Sequence, residues 1–110
     1  MSQLEKATLE YQQFTQEFQS IIISTVNDEG MPNGSYTPFV MDEFKNIYIY
    51  VSGLSPHTQN INLNHKVNVL FIEDEAQTPQ IFARRRLNYD CTATLIERET
   101  EKWLNIVRKF

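Results

Sequence analysis

The sequence is poor in cysteine: Cys91 is its only one among 110 residues. A single thiol excludes a disulfide within the chain, and with it the class of small secreted domains held together by disulfides. Long apolar runs are also missing, because none approaches the roughly 20 residues needed to cross a bilayer. Residues 1–5 contain no apolar segment of a signal peptide. We therefore expect a cytoplasmic protein with no membrane partner.

Positive charge is in deficit as well. Ten Lys and Arg residues against fourteen Asp and Glu give a net charge of −4 and a pI of about 5.1. Proteins that bind nucleic acids usually carry a basic surface, so we expect no nucleic-acid partner. The sequence has no C-x-x-C, H-E-x-x-H or paired-histidine spacing, which argues against a bound metal held by such motifs. It also lacks a P-loop, a G-x-G-x-x-G turn and a G-x-S-x-G motif.

The chain begins with a helical pattern. Apolar residues spaced by three and four predict a helix over about 2–19, whose stripe comprises Leu4, Ala7, Tyr11, Phe14 and Phe18. Ser2 and Glu5 fit a capping box at the start of this helix. The stripe either covers the core of its own domain or docks on a second subunit.

Short β-branched and aromatic runs separated by turn residues predict five strands, at 21–26, 34–40, 47–51, 67–72 and 81–96. The last is either one long strand or two strands joined by a bend. A short helix at about 55–63 lies between the third and fourth strands. Closely spaced strands with short turns favour an antiparallel sheet curled into a small barrel. We predict a mainly β fold with flanking helices, in one domain over 1–110 with its barrel at about 20–97.

The C-terminus departs from this regular pattern. A last helix is predicted over about 100–110, and it stops on its apolar face at Phe110 without a Gly or Asn cap. We expect a chain cut short there, lacking strands that would close the barrel.

The most informative feature is a basic run within the last predicted strand, where residues 82–87 read FARRRL. Alternation along a strand places Arg84 and Arg86 on the face away from the core, and Arg85 on the core side, at an open end or a bulge. Two guanidinium groups on one face match two carboxylates or one phosphate. The alternative is that these cations pair with the protein's own acids, which are Glu73, Asp74, Glu75 and Asp90.

A second candidate site is the predicted start of the short helix at residues 52–58. Ser55 and Thr58 can add hydroxyl donors to the free N–H groups of a helix N-terminus, which attract anions. His57, in the first turn, is either a surface histidine or cap partner, or a group that faces the ligand. We interpret His65 as a solvated residue at the helix end, Cys91 as an inert buried thiol, and the acidic run at 73–75 as a solvated loop.

Four segments resemble a known family in chain order: GSYTPFV at 34–40, SPHTQNI at 55–61, IEDEA at 72–76 and IFARRRL at 81–87. They are similar to segments of the haem-utilisation proteins of the HugZ/HutZ type. Those proteins belong to the pyridoxamine 5′-phosphate oxidase-like, FMN-binding split-barrel superfamily. The resemblance extends from about Phe18 onward.

The resemblance implies a homodimer of split β-barrels with ligand clefts at the subunit interface. It implies haem binding and, in some members, oxidative opening of the macrocycle, so the chain is a candidate haem-degrading oxygenase. Arg84 and Arg86 would border the haem pocket, and His57 would be the motif histidine. Family members take the axial histidine from a C-terminal segment, which here would lie beyond Phe110. Without that segment, His57 or a solvent molecule would have to serve as the iron ligand.

Two other functions stay open. The first is an FMN-dependent oxidoreductase, with the flavin held by Ser55, Thr58 and an arginine. The resemblance implies that flavin-dependent members hold the phosphate with two cations, but Ser35 and His57 stand at the matching positions here. The second is a non-catalytic module that binds haem or flavin without turnover.

Overall fold

The computed structural model describes residues 2–110, except for the side chains of residues 7–9, 11 and 12. Two members of the predicted stripe, Ala7 and Tyr11, therefore lie outside the described side chains. The helices and strands are α1 (Gln3–Gln16), β1 (Ser20–Val26), β2 (Pro32–Met41), β3 (Ile47–Ile49), α2 (Pro56–Asn64), β4 (Lys66–Ile72), β5 (Arg86–Thr92) and α3 (Glu101–Val107). Two short 3₁₀ turns, Glu75–Gln77 and Ile81–Ala83, lie between β4 and β5.

The five strands form one antiparallel sheet in the order β3-β2-β1-β4-β5. The strand β1 lies at its centre, where Ile23 is opposite Ser35 of β2 and Val69 of β4. The sheet curls into a half-barrel with helices at its sides, so the prediction of a mainly β, antiparallel fold with flanking helices is confirmed. No helix within residues 2–110 combines the length and the apolar character needed to cross a bilayer.

Alternation along the strands builds the core. On β1 and β4 every second residue is buried, and the buried apolar side chains are Phe14, Ile21, Ile23, Phe39, Val67, Val69 and Phe71. Phe71 is 0% exposed, and its ring packs edge-to-face against Phe18, Phe39 and Tyr89. Phe14 of α1 belongs to this cluster and Phe18, just after α1, packs against it, so α1 covers the core of its own chain.

The last strand is shorter than predicted. Only Arg86–Thr92 pairs with β4, whereas Ile81–Ala83 forms a 3₁₀ turn and residues 93–96 lie outside the sheet. The length of β5 is set by its partner, because Lys66 at the start of β4 lies opposite Thr92 and Ile72 at its end lies opposite Arg86. The prediction that all three arginines lie within a strand is therefore wrong for Arg84 and Arg85.

Candidate functional site

The basic run lies at the end of the sheet where β4 stops and β5 starts. Glu73 follows β4, and its N–H donates to the carbonyl oxygen of Arg85 at 2.8 Å. Arg84 and Arg85 precede the strand, and Arg86 is its first residue. Gln80 caps the 3₁₀ turn before them by accepting a hydrogen bond from the N–H of Phe82 at 3.5 Å. The chain thus turns sharply into the basic run instead of reaching it in extended form.

Arg85 pairs with the protein's own acids. Its Nε lies 2.7 Å from Oε2 of Glu73, and its Nη2 lies 3.3 Å from Oε2 of Glu17, the C-cap of α1. Its guanidinium carbon also lies 4.8 Å from the centre of the Phe14 ring. The hydrogen bond with Glu73 raises the pKa of Arg85 and, from the other side, Arg85 lowers the pKa of Glu73. Of the two expectations for Arg85, the open end of the sheet is the one observed.

Arg84 and Arg86 bond to backbone instead of to acids. Nε of Arg84 donates to the carbonyl oxygen of Glu73, and Nη1 of Arg86 donates to the carbonyl oxygen of Arg84 at 3.0 Å. Within the described part of the chain, neither guanidinium forms an ion pair with a carboxylate. The predicted partner Asp90 instead accepts a hydrogen bond from Asn68 at 3.1 Å. A carbonyl oxygen carries no net charge, so these hydrogen bonds do not neutralise the positive charges of Arg84 and Arg86.

The start of α2 is built as the sequence predicts, but its hydroxyl groups serve the turn. Ser55 is the N-cap, and its Oγ accepts from the N–H of His57 at 3.3 Å, with Pro56 at the first helical position. The hydroxyl of Thr58 donates to the carbonyl oxygen of Ser52. The expectation that the Thr58 hydroxyl is free to donate to an anion is therefore not met in this conformation.

His57 makes a contact that the sequence analysis missed. Its Nδ1 lies 2.8 Å from Oγ1 of Thr25 on β1, and Nδ2 of Asn60 donates to the same oxygen at 3.0 Å. Thr25 and Asn60 are 1% and 4% exposed. Two features of the sequence could have predicted this contact. Thr25 is a polar residue on the side of β1 that otherwise carries apolar residues, and His57 and Asn60, three residues apart, lie on one face of α2.

The structure does not bring His57 and the basic run together within one chain. Ser24 is opposite Asn68, so Thr25 lies level with the start of β4, whereas Arg86 is opposite Ile72 at its end. Five residues of strand separate the two levels, which is about 16 Å at a rise of about 3.3 Å per residue. The predicted site residues therefore form two separate groups on this chain.

The hollows on the concave side of the sheet lie elsewhere. A cavity of about 740 Å³ is lined by core residues such as Ile21, Ile49 and Val69. A second, of about 320 Å³, lies against α3 and includes Thr58 in its wall. Neither cavity is lined by Arg84, Arg86 or His57. Within residues 2–110, no group of three or more His, Cys, Asp and Glu side chains is placed to hold a metal ion.

Residues 7–110 match the pyridoxamine 5′-phosphate oxidase family. The chain belongs to this family. The haem oxygenase HutZ of Vibrio cholerae is 36% identical to it over 98 residues. That alignment covers 89% of this chain but 55% of HutZ, so the chain spans little more than half the length of this relative.

Solved structures from the same group share the fold. The crystal structure of HutZ, described as the haem storage protein of Vibrio cholerae, matches with a TM-score of 0.84 and 35% identity, covering 91% of this chain and 70% of that one. ChuZ of Campylobacter jejuni matches with a TM-score of 0.87 and 30% identity, covering 99% of this chain and 44% of that one. The predicted split-barrel fold and the resemblance to HutZ-type proteins of the family are confirmed.

Proposed function

We propose that this protein binds haem for its utilisation as an iron source, with the haem in a cleft shared by two copies of the chain. The observation that carries the proposal is that Arg84 and Arg86 have no carboxylate partner among the described residues. Their position in the FARRRL segment and the 36% identity to HutZ suggest that the anion is a carboxylate of haem. Haem has two propionate groups, which guanidinium groups bind through charge-assisted hydrogen bonds.

The neighbourhood of the arginines suits a porphyrin. Phe82 is 92% exposed and lies two residues before Arg84, so apolar surface stands beside the cations. A macrocycle needs apolar cover for its faces and a few charged groups for its acid edge. Bound haem would supply the redox and oxygen chemistry, while Arg84 and Arg86 would hold its acid groups and fix its orientation.

The same observations support a homodimer. The basic run and His57 lie about 16 Å apart along the strand direction, and neither lines a concave-side cavity. A second copy of the chain would allow both groups to line one cleft. Ile22 and Tyr36 lie opposite each other across β1 and β2 and are both exposed, which gives the outer face of the sheet apolar area for such a contact.

The described histidines do not make an obvious iron site. Nδ1 of His57 is engaged by Thr25, and His65 is an exposed residue at the end of α2. The axial histidine remains an expectation for chain beyond Phe110. Degradation and storage of haem are both compatible with the two arginines, because each requires the propionates to be held.

An FMN-dependent oxidoreductase is the alternative, favoured by membership of the pyridoxamine 5′-phosphate oxidase family. Its flavin phosphate would lie at the start of α2, near Ser55 and Thr58. The Thr58 hydroxyl donates internally to Ser52, and exposed Ser35 on β2 donates to the carbonyl oxygen of Tyr36. Those contacts give a phosphate fewer donors than the two arginines give a propionate. A module that binds haem or flavin without turnover is the third possibility.

Absorbance separates these functions, because each cofactor has its own spectrum. We expect added hemin to give a Soret band that saturates at one haem per binding site, on a protein that sediments as a dimer. Loss of that band with release of iron, on adding a reductant and oxygen, would identify a haem-degrading enzyme, and a stable band would identify a storage module. A protein that binds FMN and leaves the hemin spectrum unchanged would contradict the proposal.

A further inference from the structure

Thr25 is a polar residue enclosed in the core face of β1. It is the next inward-facing residue of β1 after Ile21 and Ile23, and it is 1% exposed. A hydroxyl at such a position needs hydrogen-bond partners, because an unpaired buried polar group is costly. Its partners come from α2, which packs against β1 and supplies Asn60 at 3.0 Å and His57 at 2.8 Å. Asn64 anchors the other end of α2 by donating to the carbonyl oxygen of Val26 at 3.2 Å.

The direction of these hydrogen bonds follows from what each atom can do. Nδ2 of Asn60 can only donate, so Oγ1 of Thr25 accepts from it. Oγ1 of Thr25 could accept a second hydrogen bond, but Nδ1 of His57 is the one acceptor that the described residues offer to the hydroxyl proton, so Thr25 donates to it. An imidazole nitrogen that accepts is unprotonated, and a neutral ring carries its proton on the other nitrogen. The network therefore places the proton of neutral His57 on Nε2.

The second ring nitrogen of His57 is not used in this network. Nε2 of His57 has no hydrogen-bond partner among the groups that the structure describes, and it is not among the described buried, unpartnered side-chain atoms. Solvent, or a ligand from solvent, reaches it. His57 is thus held at one nitrogen from inside the protein and offers an N–H at the other.

We propose that Thr25 and Asn60 are positioning residues, which hold His57 as the Nε2–H tautomer so that it donates to an anionic oxygen of the ligand. The part of this inference that concerns donation to the ligand, called the ligand half below, rests on the proposed function. The oxygen belongs to a carboxylate or a phosphate, which both accept from an imidazole N–H. A nitrogen that carries a proton has no lone pair for a metal, so neutral His57 in this state is not an iron ligand through Nε2.

The tautomer is measured in the ligand-free protein by ¹⁵N NMR of labelled histidine, with exposed His65 as an internal reference. Wild type and Thr25→Ser, which keeps the hydroxyl, should show Nε2–H for His57. Thr25→Val removes the hydroxyl, so His57 should relax to the distribution of His65. Asn60→Asp turns a donor into an acceptor that takes the hydroxyl proton, so the proton of His57 should move to Nδ1. Nδ1–H in wild type, or a His57 tautomer that all four proteins share, would overturn the positioning role.

The ligand half is tested by titrating the same protein with a diamagnetic haem analogue. Zinc protoporphyrin IX should shift the His57 Nε2–H signal and its dimethyl ester should not, if a carboxylate is the acceptor. A shift with FMN and none with riboflavin would support donation to a phosphate instead. Porphyrin binding seen by absorbance with an unmoved Nε2–H signal would overturn the ligand half while leaving haem binding intact. If absorbance shows no binding of hemin or zinc porphyrin, the proposed function fails, and the tautomer result stands separately.

Discussion

Nε of Arg85 lies 2.7 Å from Oε2 of Glu73, and this ion pair joins the residue before β5 to the residue after β4. The same guanidinium lies 3.3 Å from the carboxylate of Glu17, the C-cap of α1. Since one arginine holds both carboxylates, its neighbours Arg84 and Arg86 keep only carbonyl acceptors among the described residues. Of the three adjacent arginines, Arg85 links α1 to the sheet through its ion pairs, and Arg84 and Arg86 form no ion pair with a described carboxylate.

Removing the ion pairs of Arg85 should have two effects. Arg85→Ala frees Glu73 and Glu17, which then compete with hemin for Arg84 and Arg86, so we expect hemin affinity to fall several-fold. Stability should fall only slightly, because ion pairs exposed to solvent contribute little. Hemin titration and urea denaturation measure the two effects. Arg85→Lys keeps a cation beside Glu73 and should recover most of the affinity, whereas unchanged affinity in Arg85→Ala would contradict this division of roles.

Truncation of Phe71 should lower stability, whereas truncation of Phe82 should lower porphyrin affinity. Phe71 is 0% exposed and packs against three aromatic rings, so Phe71→Ala should cost about 3–5 kcal/mol of unfolding free energy. Phe82 is almost fully exposed, so Phe82→Ala should change stability by less than about 0.5 kcal/mol. It should nevertheless weaken binding of zinc protoporphyrin IX, because apolar cover is lost. Urea denaturation and the porphyrin titration test both, and equal unfolding midpoints for the two variants would contradict the assignment of the core.

Acid should weaken the turn between β2 and β3. Desolvation raises the pKa of Asp42, but hydrogen bonds from the side chains of Asn46 and Tyr48 and from two backbone N–H groups outweigh it and lower the pKa to about 2. A pKa lower in the folded state means that the stabilisation is complete above the ordinary value of 3.8 and is lost as the pH falls towards 2. The urea midpoint should therefore drop over that range.

Asp42→Asn is the matched variant for this prediction. It keeps an oxygen that accepts the backbone N–H groups of Phe44 and Asn46 but has no charge to titrate. Its urea midpoint should depend less on pH between 4 and 2 than that of wild type, and that of Glu43→Gln should follow wild type. A steeper acid dependence in Asp42→Asn than in wild type would refute the assignment.

Cys91 should react slowly with thiol reagents. Burial on the inward side of β5 raises the pKa of its thiol, and the charge of Asp90 adds to the effect. Because the thiolate is the reactive form, a disulfide reagent at pH 8 should modify native protein more slowly than protein in urea. Equal rates in the two conditions would show that the thiol is freely accessible.

Most of the fold could be predicted because it depends on local patterns. Alternation fixed the inward faces of β1 and β4, and Ser2 caps α1 by accepting from the N–H of Glu5 at 3.1 Å. The extent of β5 could not be predicted, since a strand lasts only as long as its partner. The sequence pattern predicts a strand over 81–96, but β4 offers pairing only between Lys66 and Ile72.

The candidate site was predictable in its residue types and less so in its connections. The sequence left open whether the arginines bind an anion or pair with the protein's own acids. It could not show that Arg85 alone pairs with acids, because Glu17 is 68 residues away along the chain. The contact of His57 with Thr25 spans 32 residues and depends on how α2 packs against β1. Such contacts arise from tertiary packing, which no short-range pattern encodes.

The most direct test of the haem proposal is a hemin titration, followed by the Soret absorbance, of wild type, Arg86→Ala, Arg108→Ala and His65→Ala. Loss of a charge-assisted hydrogen bond costs about 1.5–3 kcal/mol, so Arg86→Ala should weaken hemin binding roughly tenfold or more. Arg108, the C-cap of α3, controls for the loss of one positive charge, and His65 controls for the loss of an exposed histidine. Both controls should bind like wild type. Superimposable titration curves for Arg86→Ala and His65→Ala would contradict the account.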